Sequence, residues 1–89
     1  MPQSLAQIYL HIIFSTKDRE PLLVDAVFRK RVHAYLAGIC QQYESPAIVI
    51  GGVGDHVHIL NRFGRTIDVA TLIREIKRDS SKWIKENMP

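Results

Sequence analysis

A chain of 89 residues, 46% hydrophobic and 24% charged, describes one domain with a modest core and excludes a low-complexity or disordered polypeptide. Twelve Lys and Arg against nine Asp and Glu leave a net charge of +3, compatible with a polyanionic partner but too mild to demand one. The single cysteine, Cys40, excludes an intrachain disulfide, and the apolar run from Ile8 to Phe14 is too short to span a bilayer, so residues 1–89 read as one soluble, cytoplasmic domain without a membrane partner.

Ile8, Leu10, Ile12 and Phe14 alternate with Tyr9, His11, Ile13 and Ser15, which predicts a first strand with one apolar and one mixed face. A charged turn follows and closes at Pro21. Asp25 is placed to cap a helix reaching about Tyr43, with Phe28, Val32, Tyr35, Leu36, Ile39 and Tyr43 as its buried stripe. Cys40 lies beside that stripe and reads as packed, and Pro46 stops any continuation. The run "AIVIGGVG" predicts a second strand entering a glycine-rich turn, where Gly51, Gly52 and Gly54 suit positive φ. A third strand begins at His56, with His58 and Leu60 on its face and Val57 and Ile59 on the other. Thr66 is expected to cap a second helix, in which Val69, Leu72, Ile73, Ile76, Ser80 and Trp83 keep helical spacing.

The order β-α-β-β-α with right-handed crossovers predicts an α+β fold. It is a ferredoxin-like antiparallel sheet with the third strand between the first and second, both helices on one face, and no final strand. The first strand is left with an open edge, which predicts a homodimer joined through strands.

The pair His56 and His58 flanks one valine. Two strand rises put their Cβ atoms about 6.5–7 Å apart on one side, where two imidazoles can converge on one metal ion. His11 should share that outer face, and Asp55 is adjacent, so both are candidates to orient the ligands. The bland alternative is a half-exposed histidine pair on a solvated face. Imidazole chemistry alone points to manganese or zinc.

The glycines before His56 precede a strand and cannot form a phosphate-cradling loop at a helix start. Arg74, Lys77 and Arg78 form a basic stripe on the second helix, with Ser81 and Lys85 continuing it and Glu75 and Asp79 diluting it. With Lys17, Arg19, Arg62 and Arg65 near strand ends, they make a candidate phosphate-tracking surface.

The stretches "YLHIIFSTKDREPLL", "GDHVHIL" and "IREIKRDSSKWI" together resemble the single-tyrosine HUH transposases of small bacterial insertion sequences and their repeat-associated domesticated relatives. The resemblance runs from Tyr9 to Ile84, and His56-Val57-His58 matches the H-U-H motif. It implies a metal-dependent endonuclease and strand transferase acting on single-stranded or hairpin DNA, in which a tyrosine hydroxyl attacks the phosphodiester. It also implies magnesium or manganese on His56 and His58, and a dimer with composite active sites. In the family a further strand and a final helix follow the region of Trp83, and that helix carries the tyrosine and another metal ligand. Neither has a counterpart here. Tyr35 and Tyr43 fall in a buried stripe, and Tyr9 does not match the family position. The expectation is therefore a chain that holds the metal half of the site and does not cleave alone. The alternative is a non-catalytic module that binds single-stranded or hairpin nucleic acid.

Overall fold

Period-two alternation decides the sheet, and period 3.6 decides what covers it. In a computed structural model of the chain, which describes residues 7–16, 18, 20–64 and 67–88, β1 (Tyr9–Ser15), α1 (Ala26–Gln42), β2 (Ala47–Val53), β3 (His56–Arg62) and α2 (Val69–Asn87) follow in the expected order. The three strands form one antiparallel sheet in the order β1-β3-β2. Ile12, Val57 and Ile59 turn to one face, where they meet Phe28, Val32, Leu36, Ile39 and Cys40 of α1 and Leu72 and Ile76 of α2 in a single core. Each fully buried Leu or Ile there contributes about 1.5–3 kcal/mol.

Register carries one irregularity. Ala47 pairs with Asn61 and Val49 with Leu60, so Ile48 is an extra residue that bulges out of the β2–β3 ladder and stays exposed. Below the bulge Ile50 and Gly52 face the helices, opposite Ile59 and Val57, while Val49, Gly51 and Val53 face away.

The helix ends follow from side-chain and backbone capping. Asp25 accepts from the Phe28 amide at 3.2 Å, as predicted, and the Arg29 guanidinium donates to the carbonyls of Leu23 (2.9 Å) and Val24 (3.3 Å), fastening the entering loop. At the other end, Ser45 N donates to Cys40 O (2.9 Å) and Glu44 N to Gln41 O (3.0 Å), with Glu44 at φ 56. This is a Schellman ending with glutamate in the left-handed position usually given to glycine, so the helix has stopped before Pro46 is reached. For α2 the cap is Asp68, which accepts from Thr71 N (2.7 Å) and Thr71 Oγ1 (2.9 Å). Thr66, expected in that role, lies outside the described residues.

Three sequence expectations are corrected. Tyr35 is not buried: it sits at the rim of α1, 36% exposed, with its ring stacked on Trp83 at 5.0 Å. Val69 opens α2 and is exposed, because only Leu72 and Ile76 of that stripe reach the centre of the core. Among the turn glycines, positive φ is confined to Gly52 at 157°, where a Cβ would overlap the His56 carbonyl oxygen. Gly54 instead makes room for Val24, and Gly51 has open space where its side chain would be.

Candidate metal and nucleic-acid site

The helix-free face of the sheet carries the histidines. β3 presents His56, His58, Leu60 and Arg62 on it, and β1 presents Tyr9, His11, Ile13 and Ser15. The expected alternation therefore holds on both strands. It brings together His11, His56 and His58, with ring centroids 4.9 Å apart for His56 and His58 and 5.5 Å for His11 and His58.

The hairpin tip fixes the acidic neighbour. The Asp55 carbonyl accepts from Thr16 N at 2.8 Å, and the Gly54 carbonyl accepts from Leu23 N at 2.9 Å, so the β2–β3 turn is tied to the loop after β1. With the backbone held there, His56 Nδ1 donates to Asp55 Oδ1 at 2.9 Å, both side chains about one-third exposed. A carboxylate can only accept, so this bond sets the tautomer that leaves the His56 Nε2 lone pair outward. His58 Nδ1 meets His11 Nε2 at 3.4 Å. With Nδ1 as donor in that pair, the Nε2 of His58 is likewise left for a ligand.

Two imidazoles on adjacent outward positions, each held through its other nitrogen, fit a divalent ion as two of its ligands. Among the described residues no group of three or more His, Cys, Asp or Glu side chains forms a ready-made cage. His33, the remaining histidine, lies apart on α1. Its Nε2 is buried without a hydrogen-bond partner, and burial together with the Arg29 charge lowers its pKa.

The basic residues divide between the two sides of the sheet. Arg62 is exposed on the histidine face. Arg74, Lys77 and Arg78 belong to α2, whose Leu72 and Ile76 pack on the opposite face, so the sheet separates them from the histidines. Glu75 lies between the two arginines: Arg74 Nε approaches it at 3.6 Å, Arg78 pairs closely with it, and Tyr43 donates its hydroxyl to it at 3.3 Å. Lys77 leans over the Phe14 ring, 5.7 Å from its centroid. Lys17, Arg19 and Arg65 lie outside the described residues.

The tyrosines are dispersed as well. Tyr43 is engaged with Glu75 and Tyr35 with Trp83, both on the helical side. Tyr9 shares the histidine face but pairs with Arg62, whereas His58 pairs with Ile13, four residues further along β1, or about 13 Å. Its hydroxyl donates to Gln7 at 2.7 Å.

Sequence reasoning missed the hollow beside His58. Gly51 lies opposite His58, and Val49 opposite Leu60, so a missing side chain opens a depression of about 280 Å³ lined by His11, Val49, Gly51, Gly52, His58 and Leu60. The signal was present: Gly51 falls in the outward phase of β2, before the turn.

Comparison with known proteins joins this geometry to a family. The family model described as IS200-like transposase matches residues 4–89. No curated protein matches the chain. Among solved structures, a candidate transposase from Deinococcus radiodurans R1 aligns with all of this chain and 68% of its own, with a TM-score of 0.88 and 21% identity. At that identity the likeness speaks for the fold, and it bears out the three-stranded antiparallel sheet with two helices. No helix among the described residues is long and apolar enough to cross a membrane. Matched by its model over nearly the whole sequence, this chain belongs to the IS200-like transposase family.

Proposed function

We propose that this chain acts in DNA transposition by binding single-stranded or hairpin DNA across the histidine face of its sheet, with His56 and His58 holding magnesium or manganese at the scissile phosphate. The observation that carries the reading is the pair of outward imidazoles whose Nδ1 atoms are already engaged, His56 by Asp55 and His58 by His11. Asp55 and His11 then act as positioning residues, holding the rings so that both Nε2 atoms are available. A bound divalent ion supplies Lewis-acid polarisation of a phosphate oxygen. Arg62 contributes a phosphate contact on the same face. Arg74, Lys77 and Arg78 serve DNA that passes the helical side, such as the stem of a hairpin.

The attacking tyrosine hydroxyl lies outside residues 1–89, because none of Tyr9, Tyr35 and Tyr43 stands beside the histidines. Residues 1–89 by themselves bind DNA and do not cleave it. Copies pair through the open β1 edge, where Tyr9 and Ile13 are exposed.

Manganese titration tests the site. Saturating metal at about a hundred times its Kd stabilises the native state by about 2.7 kcal/mol through mass action. The wild type should show the corresponding rise in Tm, and H56A/H58A should lose it while keeping its far-UV spectrum. An equal rise in the double variant refutes the assignment. DNA binding that is unchanged by a chelator, with no metal response in the wild type, identifies the non-catalytic binding module instead.

A further inference from the structure

The outer sheet face carries more than the histidine pair. Across it run two cross-strand rows, Ile13–His58–Gly51 and His11–Leu60–Val49. The first row ends in a glycine, and a Cβ built there meets no heavy atom within 4 Å. What remains is a depression of about 280 Å³ with two aliphatic side chains, two imidazole rings and glycine backbone as its lining. That is slightly less than the smallest pockets that enclose a drug-sized ligand, so it holds one planar ring system and little more.

We propose that this hollow receives one nucleobase of single-stranded DNA, next to the phosphate bound at His56 and His58, and that Gly51 sets its depth. The inference rests on the metal and DNA site proposed above and adds a base-accepting subsite to it. Three observations select this occupant. His58 forms a wall of the hollow, so the subsite is continuous with the histidine pair. Arg62 stands exposed two residues beyond Leu60 on the same face, a cation in position for the next phosphate of a strand lying along β3. The lining offers two imidazole rings and aliphatic surface with few polar groups, which suits base stacking on a sheet and not peptide backbone recognition.

The test compares oligothymidylate of about a dozen nucleotides with an abasic oligomer of the same length, each with manganese, by fluorescence anisotropy. Wild type should prefer the base-bearing oligomer roughly tenfold, the scale of one stacked base. G51L places its Cβ in open space and the rest of its side chain in the hollow, and should bring that preference close to unity. V49F, which fills it from the exposed wall, should do the same and covers the case in which G51L fails to fold. A preference retained in both folded variants overturns the proposal. So does a wild type that binds both oligomers equally while still showing its manganese-dependent rise in Tm, and in that case the metal site stands without the subsite. A wild type with neither metal response nor oligomer binding overturns the underlying reading together with the subsite. A change in sedimentation of G51L with its base preference intact assigns the hollow to a second copy of the chain and likewise overturns the proposal.

Discussion

Replacing Gly64 by alanine should be among the most damaging single-methyl changes this chain can receive. A Cβ there would overlap the Glu44 carbonyl oxygen and lie 3.2 Å from Ser45 Oγ. Backbone is on the other side of the clash, so no side chain can swing away. The same movement would break the bond from Gly64 N to Ser45 Oγ (2.9 Å), and Ser45 is fully buried. Overpacking costs about 1–3 kcal/mol, and losing this hydrogen bond, while the hydroxyl keeps its donation to the Tyr43 carbonyl (3.3 Å), costs about 0.5–1.5 kcal/mol more. A total of about 1.5–4.5 kcal/mol lowers Tm by about 6–36 °C in a domain of this size. Gly51→Ala provides the internal control, since its Cβ enters open space on an edge strand. There the loss of unfolded-state freedom should stabilise by about 0.4–1 kcal/mol. Urea unfolding followed by circular dichroism measures both. If the two variants lie within about 1 kcal/mol of each other, the close approach of Gly64 to the α1–β2 loop is not the constraint described here.

Asp68 is held below the ordinary carboxylate range, first by the Thr71 amide and then by the Thr71 hydroxyl. Its contribution is therefore present above that range and lost as pH falls through the depressed native value; Tm should decline there in wild type and more shallowly in D68N, and identical profiles would count against the cap. Burial pushes the Cys40 thiol up to about 11, so a disulfide reagent at neutral pH should label it only after denaturant is added; rapid native labelling would contradict its packing. Sedimentation should show a strand-paired homodimer at micromolar concentration, and a non-aggregating monomer refutes the β1 pairing. Hairpin DNA should bind with steep salt dependence, and R74A/K77A/R78A should reduce that slope while the manganese response of the histidine face persists.

Much of this architecture is legible from residue periodicity, and the histidine face with it. Alternation in β1 and β3 placed Ile12, Val57 and Ile59 inward, which forces His11, His56 and His58 outward together. The same parity also implies that a basic stripe on α2 lies across the sheet from those histidines. What sequence did not reveal depends on pairing or on rare backbone states. The bulge at Ile48 is a property of the β2–β3 register. The end of α1 rests on a glutamate in the left-handed region, where sequence rules look for glycine or asparagine. Gly51 drew attention as a turn former, yet it lies in the strand, and its effect is to leave the space beside His58 empty.

The position of β3 between β1 and β2 bears on how the molecule comes apart. Strands at the rim open first, because each has a partner on one side alone, whereas the amides of the middle strand are released only with the whole sheet. His56 and His58 both ride on that middle strand. Amide exchange should therefore be slowest around Val57 and Ile59. The spacing between the two imidazoles should survive breathing of either rim, while the hollow at Gly51, half of it built from β2, would widen and narrow as that strand frays.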